Sequence, residues 1–197
     1  MKTQDIAAII VFAALTVALN PAISGIGIPF PLAPYLVYQL WEIPLVIVFL
    51  MYGYKYGTFV ATMNAFVLLA IFIGPGGLLA GPFYNLIAII AMMIGVYIPF
   101  KISTIRNNST DSTGKNAGYG TKLIVLSTVL GVIMRVIVMT IVNYAVLRLD
   151  YPLGYSMPEI AILAEIPLIA LFNATLALYT IPIGYVITNA IKRNLKK

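Results

Sequence analysis

Apolar segments of about 20 residues constrain the fold of this chain most, because that is the length an α-helix needs to cross a hydrocarbon core of about 30 Å. Hydrophobic residues make up 61% of the 197 residues and charged residues 9%, against about 25% charged in soluble domains. The pattern predicts one transmembrane domain over residues 1–197, with an all-α fold of six transmembrane helices. The predicted segments cover residues 5–20, 35–52, 58–73, 82–100, 122–147 and 160–191.

Basic residues lie mainly on one side of this arrangement. Six spans place both termini on the same side, and ten of the 12 Lys and Arg residues fall there. Arg148 alone falls in a loop on the other side, and Arg135 lies within a helix. Because cytoplasmic loops are rich in Lys and Arg, we expect cytoplasmic termini, a polar cytoplasmic loop at about residues 101–121, and a cell-membrane location. The placement of basic residues on the cytoplasmic side accounts for the net charge of +6, so we expect no nucleic-acid partner.

Glycine and proline interrupt the apolar pattern on the predicted outer side. They cluster at residues 21–34 and 74–82, whereas residues 54–57 are predicted to form a tight turn on the inner side. Irregular backbone at membrane depth is tolerated only where it is buried in protein or lines a cavity. We therefore expect a ligand cavity in the outer half of the membrane.

The residue types exclude several kinds of chemistry. The chain has no Cys and no His, so it cannot form a zinc site of the common types or a Ser-His or Cys-His dyad. It also lacks a Walker A, an HExxH and a GxSxG sequence. We expect no catalytic residue, no metal and no cofactor, and no ATP hydrolysis by this chain itself.

Arg135 is the most informative polar residue within a predicted span. It follows Lys122 by thirteen positions, or about 20 Å of helix, which places it in the outer half of the membrane. An unpaired Arg there costs at least about 2.5 kcal/mol, so we expect a carboxylate partner, either Glu42 or Glu165. Arg135 is then either a cation of the ligand pocket or half of an interhelical ion pair. Glu42, two residues before Pro44, either caps backbone amides or faces a ligand.

Four asparagines recur at membrane depth, and each has two donor hydrogens and an acceptor oxygen suited to the edge of a heterocycle. Each could instead form a helix–helix hydrogen bond, worth about 0.6–2 kcal/mol in membranes. Tyr84 and Tyr144 adjoin two of them and are candidates to stack on a flat ligand, or to belong to an interfacial aromatic belt. The asparagines are Asn64, Asn85, Asn143 and Asn173.

Small residues form one face of the first helix. Ala14 and Ala18 are four positions apart, with Ala13 beside them, and such spacing permits close approach of another helix. This face is a candidate to pack inside the bundle or against another subunit.

These stretches resemble the substrate-binding S-components of energy-coupling factor (ECF) vitamin transporters. The small-residue face of the first helix is similar to the family's docking motif, and Glu42-Ile43-Pro44 to its acidic-x-Pro segment. Three further stretches resemble the riboflavin-specific branch. They are Gly81-Pro82-Phe83-Tyr84-Asn85, the run from Arg135 through Met139-Thr140 to Asn143-Tyr144, and Glu165-Ile166-Pro167 with Phe172-Asn173.

The resemblance implies a prokaryotic membrane subunit that captures a vitamin at the outer face, with riboflavin as the first candidate. The implied partners are a transmembrane coupling subunit, docked through Ala13, Ala14 and Ala18, and two cytoplasmic ATPase subunits. The implied substrate-binding residues are Glu42, Asn64, Tyr84, Asn85, Arg135, Asn143, Tyr144, Glu165 and Asn173. The third helix lacks the branch's Lys, and Phe172 stands near the place of its last-helix Lys, so another flat vitamin or precursor remains an alternative.

Two functions of other classes also stay open. A self-sufficient secondary carrier, acting as a homodimer, would be favoured by an ionisable pair at the membrane centre. A membrane scaffold or assembly factor would have no cavity and would use the buried asparagines for helix packing alone.

Overall fold

The computed structural model describes residues 3–72, 80–110, 120–151 and 153–194. Helices dominate the fold, and two short strands form a hairpin near the N-terminal end. In chain order the elements are α1 (Thr3–Ala18), α2 (Pro21–Ser24), β1 (Ile28–Phe30), β2 (Ala33–Tyr38), α3 (Glu42–Tyr52), α4 (Tyr54–Phe72), α5 (Ala80–Thr110), α6 (Thr121–Val146) and α7 (Glu159–Asn194).

Four described helices, α4 to α7, are long and apolar enough to cross a membrane. Helices α1 and α3 have 16 and 11 residues, and at about 1.5 Å per residue α3 is only about 16 Å long. The predicted segments at 58–73, 82–100, 122–147 and 160–191 are therefore confirmed as helices within the described residues, with α4 described to Phe72 and α6 ending at Val146. The six-span topology and the side on which the termini lie remain predictions.

Helix α3 forms the centre of the bundle. It contacts α1, α4, α5 and α7, and eight of its eleven residues are buried. Pro44 is accommodated because it lies in the first turn, where a backbone N–H has no partner within the helix. The apolar run from Leu45 to Leu50 packs on all sides, as expected for a helix without a polar face.

Residues 28–38 form an antiparallel hairpin, so the all-α prediction is wrong at this point, and the segment predicted at 35–52 is a strand followed by α3. The prolines at 29, 31 and 34 disfavour a helix, and the aromatic and branched side chains that follow favour a strand. Phe30 packs on Tyr38 and on Phe172 of α7, with ring centroids 5.7 Å apart in each case. The hydroxyl of Tyr179 also donates to the backbone oxygen of Gln39 at 2.7 Å.

Two predicted boundaries were wrong. The tight turn is at Gly53, whose φ of 96° suits glycine, and residues 54–57 already belong to α4. Helix α5 runs through Pro99 to Thr110, so residues 101–110 are helix rather than loop. A polar sequence can continue a helix because backbone N–H and C=O groups, not side chains, form the helical hydrogen bonds. Helix α7 runs through Pro167 and Pro182 without a break. The rest of the predicted polar loop, 111–119, and residues 73–79 lie outside the described residues.

Helices α5 and α6 approach each other closely at two glycines. A Cβ atom on Gly95 would lie 2.7 Å from the Cα atom of Gly131, closer than packed atoms can approach. Small residues allow such backbone contact between membrane helices. This contact fixes α6 against α5 and so helps to set the face that α6 turns toward α7.

Candidate functional site

A cavity of about 480 Å³ lies between the hairpin, the start of α5, the end of α6, the 147–158 connection and the first half of α7. Its volume is within the range of about 300–1,000 Å³ usual for small-molecule sites. The lining residues are Tyr35, Leu36, Tyr84, Met139, Asn143, Leu147, Tyr155, Met157, Glu165, Ile169 and Asn173. These elements meet at the end of the bundle that carries few basic residues, which is the predicted outer end.

Repeated four-residue spacing places the lining residues of α6 and α7 on one face of each helix. Positions 139, 143 and 147 line the cavity from α6 or its C-terminal end, and positions 165, 169 and 173 line it from α7. Side chains four residues apart on a helix lie above one another. This spacing was the signal in the sequence that could have identified Met139, Leu147 and Ile169, which were not among the predicted site residues.

Two asparagines face the cavity and are held by their own helices. The Asn143 amide donates to the Met139 oxygen at 2.7 Å, and the Asn173 amide donates to the Ile169 oxygen at 2.9 Å. Each amide nitrogen carries two hydrogens, so one N–H of each remains for a ligand. The oxygen of Asn173 already accepts one hydrogen bond, from Nε of Arg135 at 2.9 Å, so the free amide N–H is the group that Asn173 most readily offers to a ligand.

Arg135 and Glu42 form a buried ion pair beside the cavity. The guanidinium donates to both carboxylate oxygens, at 2.6 and 2.9 Å, and the two residues are 2% and 0% exposed. A two-pronged pair of this kind satisfies both charges. Of the two predicted partners the structure selects Glu42, and both of its oxygens are used by Arg135. The pair does not line the cavity, but it contacts the cavity through Asn173.

Tyr35 and Glu165 connect the hairpin to α7 at the cavity. The Tyr35 hydroxyl donates a hydrogen bond to the Glu165 carboxylate. Tyr35 is 61% exposed, so this contact lies at the outer side of the cavity. Tyr84 differs from Tyr35, because the Tyr84 hydroxyl is buried and has no hydrogen-bond partner among the described residues. An unpaired buried hydroxyl costs about 1–3 kcal/mol, and a ligand in the cavity would relieve that cost.

The connection between α6 and α7 contributes Tyr155 and Met157. Ser156, between them, has a φ of 50° and donates to Asp150 at 2.8 Å. The backbone N–H of Met157 donates to the Leu147 oxygen at 3.0 Å. Partial burial raises the pKa of the Tyr155 hydroxyl above its usual 10.0, so Tyr155 is neutral at physiological pH and can donate a hydrogen bond.

The structure brings four of the nine predicted substrate-binding residues to the cavity: Tyr84, Asn143, Glu165 and Asn173. Arg135 and Glu42 lie behind them. Asn64 is buried in α4, and its oxygen has no hydrogen-bond partner within the described part of the chain. Asn85 is half-buried outside the cavity lining. Tyr144 donates to Glu159 at 3.1 Å and stacks on Arg148. Tyr35, Leu36, Tyr155 and Met157 were missed because a hairpin and an irregular connection carry them.

The predicted docking residues lie on α1. Ala14 and Ala18 are exposed, whereas Ala13 is half-buried and packs on the core. Ile10 and Val11 extend the exposed face and are 62% and 64% exposed. The face is therefore accessible to lipid or to another subunit.

Comparison with known proteins finds a structural likeness. The fold is similar to a solved structure described as the S component of a bacterial ECF transporter, with a TM-score of 0.63 and 18% sequence identity. The match covers 100% of this chain and 97% of that chain. No protein-family model and no curated protein matches the sequence. At this identity the likeness establishes a shared fold.

Proposed function

We propose that this protein is the substrate-binding subunit of an ECF-type importer in a prokaryotic cell membrane, and that it captures a small vitamin at the outer face. The observation that carries the proposal is the cavity. It lies at the end of the bundle poor in basic residues, in a fold shared with an S component, and it contains an unpaired Tyr84 hydroxyl.

The cavity suits a compact ligand with an apolar body and a polar edge. Met139, Leu147 and Ile169 supply an apolar wall, which would bury a ring system. Asn143 and Asn173 present amide donors whose positions are fixed by hydrogen bonds within α6 and α7. Preorganised donors of this kind favour binding because less conformational entropy is lost. Riboflavin, a flat heterocycle with several acceptors, is the first candidate substrate; a related vitamin or precursor is the alternative.

The protein would bind, and other subunits would supply energy. After capture, it would associate with a transmembrane coupling subunit through the exposed face of α1 around Ala14, and two cytoplasmic ATPase subunits would drive release inside. No residue of this chain is assigned a catalytic role. The substrate-binding set is proposed to be the four predicted residues at the cavity, with Arg135 and Glu42 acting by holding Asn173.

Riboflavin binding tests the substrate directly. Riboflavin fluorescence should be quenched when detergent-purified protein is added, and protein that retains the ligand should be yellow. Asn173→Leu should weaken the quenching, whereas Asn85→Leu, outside the cavity lining, should not. Colourless protein that leaves riboflavin fluorescence unchanged would refute the flavin assignment. Binding of another vitamin to the same protein would keep the S-component proposal.

One observation favours the secondary carrier: Arg135 and Glu42 are an ionisable pair buried within the bundle. The two groups are bonded to each other, Arg135 is also bonded to Asn173, and neither residue of the pair lines the cavity. This arrangement is unfavourable for proton exchange with solvent. Uptake into vesicles separates the two functions. An ECF subunit requires a coupling subunit, two ATPase subunits and ATP, whereas a carrier would accumulate substrate from an ion gradient alone.

A further inference from the structure

The cavity contains a single charged side chain among its described lining residues, and it is the carboxylate of Glu165. The other polar groups are the amides of Asn143 and Asn173 and the hydroxyls of three tyrosines. A partly exposed carboxylate attracts a cation placed beside it and repels an anion, and the neutral donors around it carry no positive charge to offset that preference.

The described cations at this end of the bundle are already paired and do not line the cavity. Arg135 is paired with Glu42 at 2.6 Å. Arg148 is paired with Glu159 at 3.0 Å and also stacks on a tyrosine ring. Residues 73–79 and 152, outside the described part of the chain, contain no charged amino acid in the sequence. A ligand carboxylate or phosphate in the cavity would therefore meet Glu165 and no free cation from these segments.

Aromatic rings reinforce this preference. Tyr35, Tyr84 and Tyr155 line the same cavity as Glu165. The face of an aromatic ring carries partial negative charge, so it attracts a cation placed over it and disfavours an anion. The Tyr35 hydroxyl donates to Glu165, which leaves the remaining acceptor sites of that carboxylate available to an N–H or O–H group of a ligand.

We propose that the cavity selects uncharged or cationic ligands over ligands that carry a carboxylate or a phosphate, and that Glu165 sets this preference by accepting a hydrogen bond from a ligand N–H or O–H group. The inference rests on the proposed function, because it concerns the substrate of the same cavity. It divides the water-soluble vitamins into two groups: uncharged or cationic heterocycles are favoured, and carboxylic acids and phosphate esters are disfavoured.

Matched ligand pairs test the inference in purified full-length protein. The pairs are nicotinamide with nicotinate, biotin amide with biotin, and riboflavin with its 5′-phosphate, and thiamine serves as a cationic probe. Equilibrium dialysis with each compound gives its affinity. For any pair that binds, we expect the uncharged member to bind at least about tenfold more tightly, which corresponds to about 1.4 kcal/mol. Equal or tighter binding of the anionic member would overturn the inference while leaving the proposed function in place.

The Glu165→Gln variant tests the assigned residue, because it removes the charge and keeps the shape of the side chain. It should reduce the ratio of affinities within a pair at least threefold and should weaken thiamine binding if thiamine binds. Asp5→Asn is the control, since it removes a carboxylate of α1 that does not line the cavity and leaves the Arg148–Glu159 pair in place, and its ratio should equal that of the native protein. An unchanged ratio in Glu165→Gln would overturn the role of Glu165.

The charge preference of the native protein can be measured even if Glu165→Gln does not fold. Failure of every uncharged, cationic and anionic compound to bind would overturn both this inference and the proposed function.

Discussion

Removing the guanidinium of Arg135 should destabilise the protein strongly. Arg135→Met would delete the bonds of 2.6 and 2.9 Å to Glu42 and the bond of 2.9 Å to Asn173. Glu42 is 0% exposed, so its carboxylate would remain buried without a counter-charge. Leaving one member of such a pair unpaired costs about 3–5 kcal/mol. The lost bonds all belong to one side chain, so their costs are not independent. The cost of losing the bond to Asn173 is therefore included in this range and is not added to it.

A double variant separates the cost of an unpaired charge from the worth of the pair. Arg135→Met combined with Glu42→Leu removes both charges and should be less destabilised than either single variant, since apolar replacement of a buried pair is often close to neutral. Arg148→Met is the matched control. Its ion pair with Glu159 is exposed, so this change should cost less than about 1 kcal/mol.

Equilibrium unfolding in mixed micelles measures these differences. The chain has one tryptophan, Trp41, which precedes Glu42 and is 1% exposed, so its fluorescence reports unfolding next to the ion pair. The reasoning fails if Arg135→Met costs less than 1 kcal/mol. It also fails if the cost of the double variant equals the sum of the two single costs, because the two side chains would then not interact.

Three other changes test the cavity, the helix packing and the docking face. Tyr84→Phe should leave folding stability unchanged or slightly higher, because the hydroxyl is unpaired, and should weaken ligand binding about three- to tenfold; equal affinity in a binding titration would remove Tyr84 from the site. Gly95→Ala should lower the melting temperature, since its Cβ would clash with α6, whereas Gly81→Ala in the same helix meets open space and should not; equal melting temperatures would contradict the close contact. Ala14→Trp should preserve ligand binding but prevent co-purification with the coupling subunit, and an intact complex would argue against docking through α1.

The sequence was most informative about Arg135. Its position within an apolar helix required a partner, whichever way the helices packed, because an unpaired charge in the membrane is costly. The sequence could not choose between Glu42 and Glu165, since both lie at a similar depth. The choice depends on which faces of α3, α6 and α7 meet, and Glu42 reaches Arg135 because α3 packs at the centre of the bundle.

For the asparagines, too, the sequence could not show which side chains meet in the folded protein. All four were predictable as buried or half-buried polar groups in helices, but only Asn143 and Asn173 line the cavity. Four-residue spacing placed them on faces with Met139 and Ile169, which is a local property of a helix. The direction in which each face points is not local, because it depends on contacts such as the one between Gly95 and Gly131.

The sequence by itself determined that the chain is built from long apolar helices, that its basic residues lie mainly at one end, and that Arg135 needs a counter-charge. These properties follow from residue hydropathy, charge and order along the chain. Only the tertiary structure decided that Glu42 is the counter-charge, that a hairpin brings Tyr35 to Glu165, and that the 147–158 connection adds Tyr155 to the cavity. Those contacts join residues far apart in sequence, and they form only when the packing of whole helices fixes distance and orientation together.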